Sequence, residues 1–232
     1  MTSPLRNLKL HWRRLTDAQE VVLDGVRIST AANTLPRFVR SALFKESYEF
    51  HERQLVREKL SPGDRVLEIG CGVGFISLLC AKRCGSENVL SYEANPLLEQ
   101  IIRGNYALNG LTPNLRMRAI TTNAEPITFY RSDNIVSSST KDRGAHAETM
   151  IVESDRLDDV VASHRPNVVI MDVEGAEIEL LSTSELEGVK HVIVEVHPHI
   201  TGEASIQEMV EKTNRLGFKI EAEAHRTILL SR

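Results

Sequence analysis

The stretch RVLEIGCGVGFISLLC, Arg65 to Cys80, most narrows the folds open to this chain. A short apolar strand runs into three alternating glycines, Gly70, Gly72 and Gly74, and an apolar helical run follows at once, ended by Gly85. Glycine lets the backbone turn sharply and approach a ligand closely as a helix begins. Strands alternating with helices at this spacing imply a mostly parallel sheet, so this βα unit is the expected start of a layered α/β domain.

The rest of the chain repeats this rhythm. NVLSYEA reads as a second strand, followed by a helix from Asn95-Pro96 through Ala107, with Pro96 in its first turn. NLRMRAI is expected as a third strand, with PITFY as a piece beside it. SDRLDDVVASH is expected as a helix capped by Ser154 or Asp155. NVVIMDV and HVIVEVH are β-branched strands, each leading to a helix, and GFKIEAEA with HRTILLSR forms a terminal antiparallel pair. The expected fold class is therefore α/β, a mostly parallel, doubly wound sheet with a terminal antiparallel pair and an N-terminal extension. Residues 61–232 would form the main domain. Residues 1–60 would form the extension: an Asp24-Gly25 hairpin, then helical spacing in LPRFVRSALFKESYEFHERQLVREKL split near Glu46–Tyr48. The polar segment Arg131–Glu148 reads as a long loop, whose Ser137, Ser138 and Ser139 could fold over a substrate.

In such sheets the ligand lies beyond the carboxyl ends of the strands. The glycines follow G-x-G-x-G, tighter than the dinucleotide spacing that sets a pyrophosphate over a helix N-terminus. With Glu68 two residues upstream, the loop suits a cofactor without phosphates, such as S-adenosylmethionine, whose ammonium group Glu68 would take. Spacing alone disfavours a nicotinamide oxidoreductase. Glu93, at the tip of the second strand, is placed to accept both ribose hydroxyls, with Ala94 beside it. Ile120 and Thr121, leading the run to Asn123, are placed to edge the adenine.

These residues carry a resemblance. VLEIGCGVGFISL is similar to the first motif of class I S-adenosylmethionine-dependent methyltransferases, with their Rossmann-like fold. EANP with RGNYALNGL, and above all MDVEGAEIELL, resemble the FkbM family, over roughly Tyr48 to the C-terminus. The resemblance implies methyl transfer from S-adenosylmethionine, commonly to a hydroxyl oxygen of a sugar or similar small molecule. It also implies an N-terminal helical lid, which makes Tyr48, Glu49 and Glu52 candidate cofactor contacts.

The cofactor brings its own leaving group, so the protein has to align the acceptor and take its proton. Asp172, at the tip of the strand beside the first, is the candidate facing the methyl, as catalytic group or as lining of the methionine pocket. Strand alternation puts Glu195 and His197 on one face of the next strand. His197, which titrates near neutrality, is the general-base candidate. Asp172, Glu195 and His197 could together hold a divalent cation, an option carried without being favoured. In the acidic run after Asp172, Glu174 and Gly175 would open a helix, Glu179 would face water, and Glu177 could point either way.

The formal net charge of −4 and the lack of a basic-aromatic patch count against an RNA partner. No apolar run is long enough for a membrane span. Cys71, Cys80 and Cys84 read as buried thiols of a reducing compartment, with no neighbouring ligand to complete a zinc site, so the expectation is a cytoplasmic protein acting on a small molecule. RNA or protein methylation, and a non-catalytic cofactor-binding module, are the competing readings.

Overall fold

The computed structural model describes residues 4–31, 34–131 and 148–232. Helix α1 (Pro4–Leu15) precedes a hairpin of β1 (Glu20–Leu23) and β2 (Val26–Ser29). The hairpin turns on Asp24 and Gly25, with φ of 48° and 79°. Two consecutive left-handed residues make the turn whose twist matches the flanking strands. Helices α2 (Arg37–Phe44) and α3 (Phe50–Lys59) follow, divided where the spacing predicts. Helix α1 was not among the sequence expectations. Only one side of it meets the body: Arg13 donates to the Phe44 carbonyl at 2.8 Å, while Leu8, Trp12 and Leu15 stay exposed.

The main domain runs through β3 (Val66–Ile69), α4 (Phe75–Cys84), β4 (Val89–Tyr92), α5 (Glu99–Leu108) and β5 (Asn114–Arg116). Next come β6 (Ala119–Thr121), β7 (Ile127–Arg131), β8 (Glu148–Val152), β9 (Ser154–Arg156) and α6 (Leu157–His164). The chain continues with β10 (Val168–Met171), α7 (Glu177–Thr183), β11 (His191–Glu195), α8 (Pro198–Thr201) and α9 (Glu203–Arg215), and ends in β12 (Lys219–Ala224) and β13 (Thr227–Ser231). Seven strands form one sheet in the order β12-β13-β11-β10-β3-β4-β5. β3, β4, β5, β10 and β11 are parallel, and β13 is antiparallel to both its neighbours. This is the doubly wound sheet with a terminal antiparallel pair expected from the sequence. The strand order reverses between β3 and β10, which opens a crevice at their carboxyl ends.

Both faces of the sheet are covered, which is why β3 and β10 at its centre are apolar at every position but one. Val66, Val168 and Ile170 face α4, α5 and the N-terminal hairpin, while Leu67, Ile69, Val169 and Met171 face α6, α7 and α9. The extension shares the first of these cores: Val21, Val26, Ile28, Val39 and Leu43 pack in one cluster with Val66, Phe75 and Leu78. The exception is Glu68, 2% exposed in the middle of β3.

Two local expectations are corrected. NLRMRAI is two strands: β5 ends in the main sheet, where the Glu93 N–H meets the Arg116 carbonyl, and β6 leaves to pair with β9. Ser154 and Asp155 do not cap α6, because they lie in β9. Ser154 Oγ shares a hydrogen bond with Thr121 Oγ1 at 2.9 Å, and Asp155 accepts from Tyr92 and Arg118, both at 2.8 Å. The segment from Arg131 to Glu148 is bounded by an antiparallel strand pair, β7 with β8; residues 132–147, with Ser137, Ser138 and Ser139, lie outside the described residues.

Candidate active site

β3 delivers the glycine loop into the crevice. Gly70 has φ of 83°, and a Cβ there would lie 1.9 Å from the Asp172 carbonyl oxygen. Only glycine allows the β3 and β10 loops to cross this closely. The Gly70 and Cys71 N–H groups both donate to the Tyr92 carbonyl, at 2.9 and 3.2 Å, which ties the loop to β4.

The tip of β4 completes the tie. Glu93 accepts from the Gly72 N–H through Oε2 and from the Asn95 N–H through Oε1, both at 2.8 Å. It is 7% exposed, and burial pushes its carboxyl up to about 7 against the pull of the Asn95, Gly72 and Ala94 amides. Ile69, Gly70, Gly72, Tyr92, Glu93, Ala94, Arg118, Ala119 and Ile120 line the crevice, with Ile127, Asp172, Val173, Glu174 and Ala176 opposite and Tyr48 and Glu49 above. Eight of the predicted cofactor residues thus share one cavity: Tyr48, Glu49, Gly70, Gly72, Glu93, Ala94, Ile120 and Asp172.

Four others sit elsewhere. Gly74 starts α4 against Ile102. Thr121 faces a separate depression with Asn123 and Glu179. Glu68 lies beneath the loop, with Ser77 and Ser91 beside it; burial pushes it up to about 7, and Oε2 has no hydrogen-bond partner. Glu52 lies in a second, more open chamber.

That chamber borders the crevice and shares Tyr48, Glu49, Asp172 and Glu174 with it. It adds Glu52, Glu195 and His197, with Arg6, His51, His199, His225 and Arg226 toward its rim. The shared wall hangs from buried Arg53, which donates to the carbonyls of Glu46 and Tyr48 at 3.2 and 3.0 Å and pairs with Asp24 at 2.7 Å. A hairpin-tip aspartate therefore fixes the turn that presents Tyr48 and Glu49.

The three predicted catalytic residues meet in this chamber. His197, 3% exposed, has Nε2 3.6 Å from Asp172 Oδ1 and 3.8 Å from Glu174 Oε2. Glu177 is the neighbour that the sequence left undecided. It is fully buried in the first turn of α7, accepting from the Gly175 N–H at 2.6 Å and from the His197 N–H at 3.1 Å. Oε1 also lies 3.3 Å from His197 Nδ1. Burial raises Glu177, but His197 outweighs it and holds the carboxyl low. An ionised carboxylate only accepts, so Nδ1 donates. Burial would depress His197, yet Glu177, Asp172 and Glu174 together raise it. Asp172 is raised by burial and then by Glu195, with His197 opposing.

Glu174 does not open α7. It has φ of 48° and Gly175 has φ of 108°, so both form the turn before the helix. Glu179 faces outward and accepts from Thr122 at 2.8 Å. Arg118, half-exposed on the crevice wall, was not singled out from the sequence; its place after the β5 strand end is the signal that could have found it.

The methyltransferase FkbM domain model matches residues 68–220. A hexuronic acid methyltransferase of Haloferax volcanii is 26% identical over 176 residues, covering 70% of this chain and 71% of the relative. A ribosomal protein L11 methyltransferase of Caldicellulosiruptor saccharolyticus is also 26% identical, over 127 residues, spanning 50% of this chain and 41% of that protein. Among solved structures, a methyltransferase of Pyrococcus furiosus is similar with a TM-score of 0.49 at 14% identity, over 99% of this chain and 98% of that one. The matched segment is well over half of the chain and runs from Glu68 into the start of β12, so the protein belongs to the FkbM family of S-adenosylmethionine-dependent methyltransferases.

Proposed function

We propose that the enzyme methylates a hydroxyl oxygen of a small molecule, with a sugar as the acceptor class. The observation that carries this reading is the wall shared by the two cavities. Asp172 and Glu174 border the glycine-loop crevice on one side and the polar chamber on the other. A cofactor lying along Gly70, Gly72 and Glu93 would present its methyl group to an acceptor held in the chamber. Polar groups of a sugar suit this lining, in which carboxylates and imidazoles outnumber apolar side chains. The hexuronic acid methyltransferase relative supports the same acceptor class.

In this reading the acceptor oxygen attacks the methyl carbon in line with the sulfur. The S–CH3 bond breaks as the O–CH3 bond forms, sulfur keeps the bonding pair, and the hydroxyl proton passes to a chamber carboxylate. Asp172 is the candidate acceptor, because its raised pKa makes it a stronger base than an ordinary carboxylate. His197, fixed through Nδ1 by Glu177, turns Nε2 toward Asp172 and the acceptor space. The N-terminal turn at Tyr48 and Glu49 would close over the cofactor.

The experiment is to incubate the protein with methyl-labelled S-adenosylmethionine and a cell extract divided by size. Label in the small-molecule fraction, on an alkali-stable ether, supports the reading. Label confined to RNA or protein would overturn it.

A further inference from the structure

The chamber is strongly acidic for a site that must deprotonate an alcohol. Glu49, Glu52, Asp172, Glu174 and Glu195 all line it. Arg226 pairs with Glu195 Oε1 at 2.9 Å. Clustered carboxylates without cations repel one another and resist ionisation.

One atom each from Asp172, Glu195 and His197 lies within 4.8 Å of the others. Ligands of one six-coordinate cation, at about 2.2 Å from the metal, stand roughly 3.1 Å apart when adjacent and 4.4 Å when opposite, so the three side chains would draw together on the ion. The histidine is already set for the task. It is 3% exposed, its Nδ1 is anchored by buried Glu177, and its Nε2 is aimed into the cluster. The distances of 3.6 and 3.8 Å to Asp172 and Glu174 are too long for hydrogen bonds. A carboxylate on one ring nitrogen and a ligand atom on the other is how ligating histidines are held. Asp172 Oδ1, facing Nε2, is shut off from solvent and has no hydrogen-bond partner among the described residues.

We propose that Asp172, Glu195 and His197 bind one hard divalent cation, Mn2+ or Mg2+, which carries the acceptor oxygen on an open position. Two carboxylates with one imidazole suit such an ion better than thiolate-seeking metals. The inference rests on the methyltransferase reading above for its role: the bound ion would acidify the acceptor hydroxyl beside the cofactor crevice, and, with Asp172 holding the ion, the proton would pass to Glu174, which borders the same two cavities. Glu177 is a positioning residue in this scheme, acting through the His197 ring.

The test uses the full chain stripped with a chelator and titrated with Mn2+, followed by electron paramagnetic resonance of the free ion. One Mn2+ per chain is expected, with spin-echo modulation from an imidazole nitrogen. Glu195→Gln, nearly isosteric, should weaken Mn2+ binding by about tenfold or more, and His197→Ala should also remove the nitrogen modulation. No stoichiometric binding, equal affinity in Glu195→Gln, or no modulation in the unmodified protein would overturn the site. If the stripped protein binds S-adenosylhomocysteine and methylates a sugar without any cation, the cation site falls and the methyltransferase reading stands. Mn2+ uptake with the expected modulation, but methyl transfer only to macromolecules, leaves the cation site and overturns the acceptor class.

Discussion

Glu177 Oε1 lies 3.3 Å from His197 Nδ1, with the carboxylate wholly buried and the imidazole 3% exposed. The same carboxylate takes the His197 and Gly175 N–H groups, so one side chain joins the turn after β10 to the end of β11. Glu177→Gln keeps the shape but substitutes an amide donor for one acceptor oxygen, and should loosen the ring. Turnover should fall by about ten- to a hundredfold, while S-adenosylhomocysteine affinity changes by less than about threefold. Steady-state kinetics beside calorimetry check this split. A variant that lost affinity and turnover together would show Glu177 to be a general scaffold residue.

Glu93 spends both oxygens on backbone N–H groups that shape the cofactor crevice. Glu93→Gln turns one acceptor into a donor facing an N–H, which costs about 1–3 kcal/mol at a buried site. Calorimetric titration should show S-adenosylhomocysteine binding weakened by about tenfold or more. Unchanged affinity would mean that Glu93 does not contact the cofactor or set its loop.

Gly70 and Gly72 should respond differently to alanine. At Gly70 the new Cβ meets the Asp172 carbonyl at 1.9 Å, so the β3 and β10 loops must part. At Gly72 the nearest atom is the Tyr48 hydroxyl at 3.4 Å, which leaves mainly the cost of φ at 54°. Gly72→Ala should lose about 1–2 kcal/mol in urea unfolding, and Gly70→Ala should lose more than about 3. Equal losses would contradict the close crossing.

Glu68 gives the apo protein a pH dependence. Its folded carboxyl sits at about 7 against an ordinary 4.5, chiefly through burial. A raised carboxyl contributes stability that is fully present below about 4.5 and is lost as the pH rises through 7. The loss for this buried group is about 3 kcal/mol. Glu68→Gln removes that titration, so the melting temperature of the variant should gain on the unmodified chain between pH 5 and pH 8. Glu93 titrates over the same range and keeps part of the slope in both proteins. Parallel melting curves would refute the assignment to Glu68.

The layered order of the fold was legible because each central strand is short, β-branched and followed by a helical run. What escaped was set by partners distant in the chain. NLRMRAI reads as one strand by propensity, yet it breaks because Ala119 finds the Glu153 carbonyl, 34 positions away. Glu177 and Glu179 have the same composition and spacing. Only the packing of α7 against the end of β11 makes one a buried anchor and leaves the other at the surface. The family-like RGNYALNGL was readable as a pattern without a reason. The reason is that Asn105 bridges the Ser29 N–H and the Val73 carbonyl, while Asn109 holds both backbone groups of Arg27. These two amides fasten the hairpin of the extension to the glycine loop. At the site, Asp172, Glu195 and His197 were legible because strand tips converge in this topology. That Glu68 lies beneath the glycine loop could not be read from the sequence, because the direction of a side chain within a strand depends on which face the helices cover.

The most direct test is incubation of the purified chain with S-adenosylmethionine carrying a 13C methyl group and a panel of neutral and acidic glycosides. Carbon NMR should then show a labelled methyl ether on a sugar oxygen, formed in step with S-adenosylhomocysteine. Cofactor turnover with the label on nitrogen, on a carboxyl ester or on macromolecules alone would contradict the account.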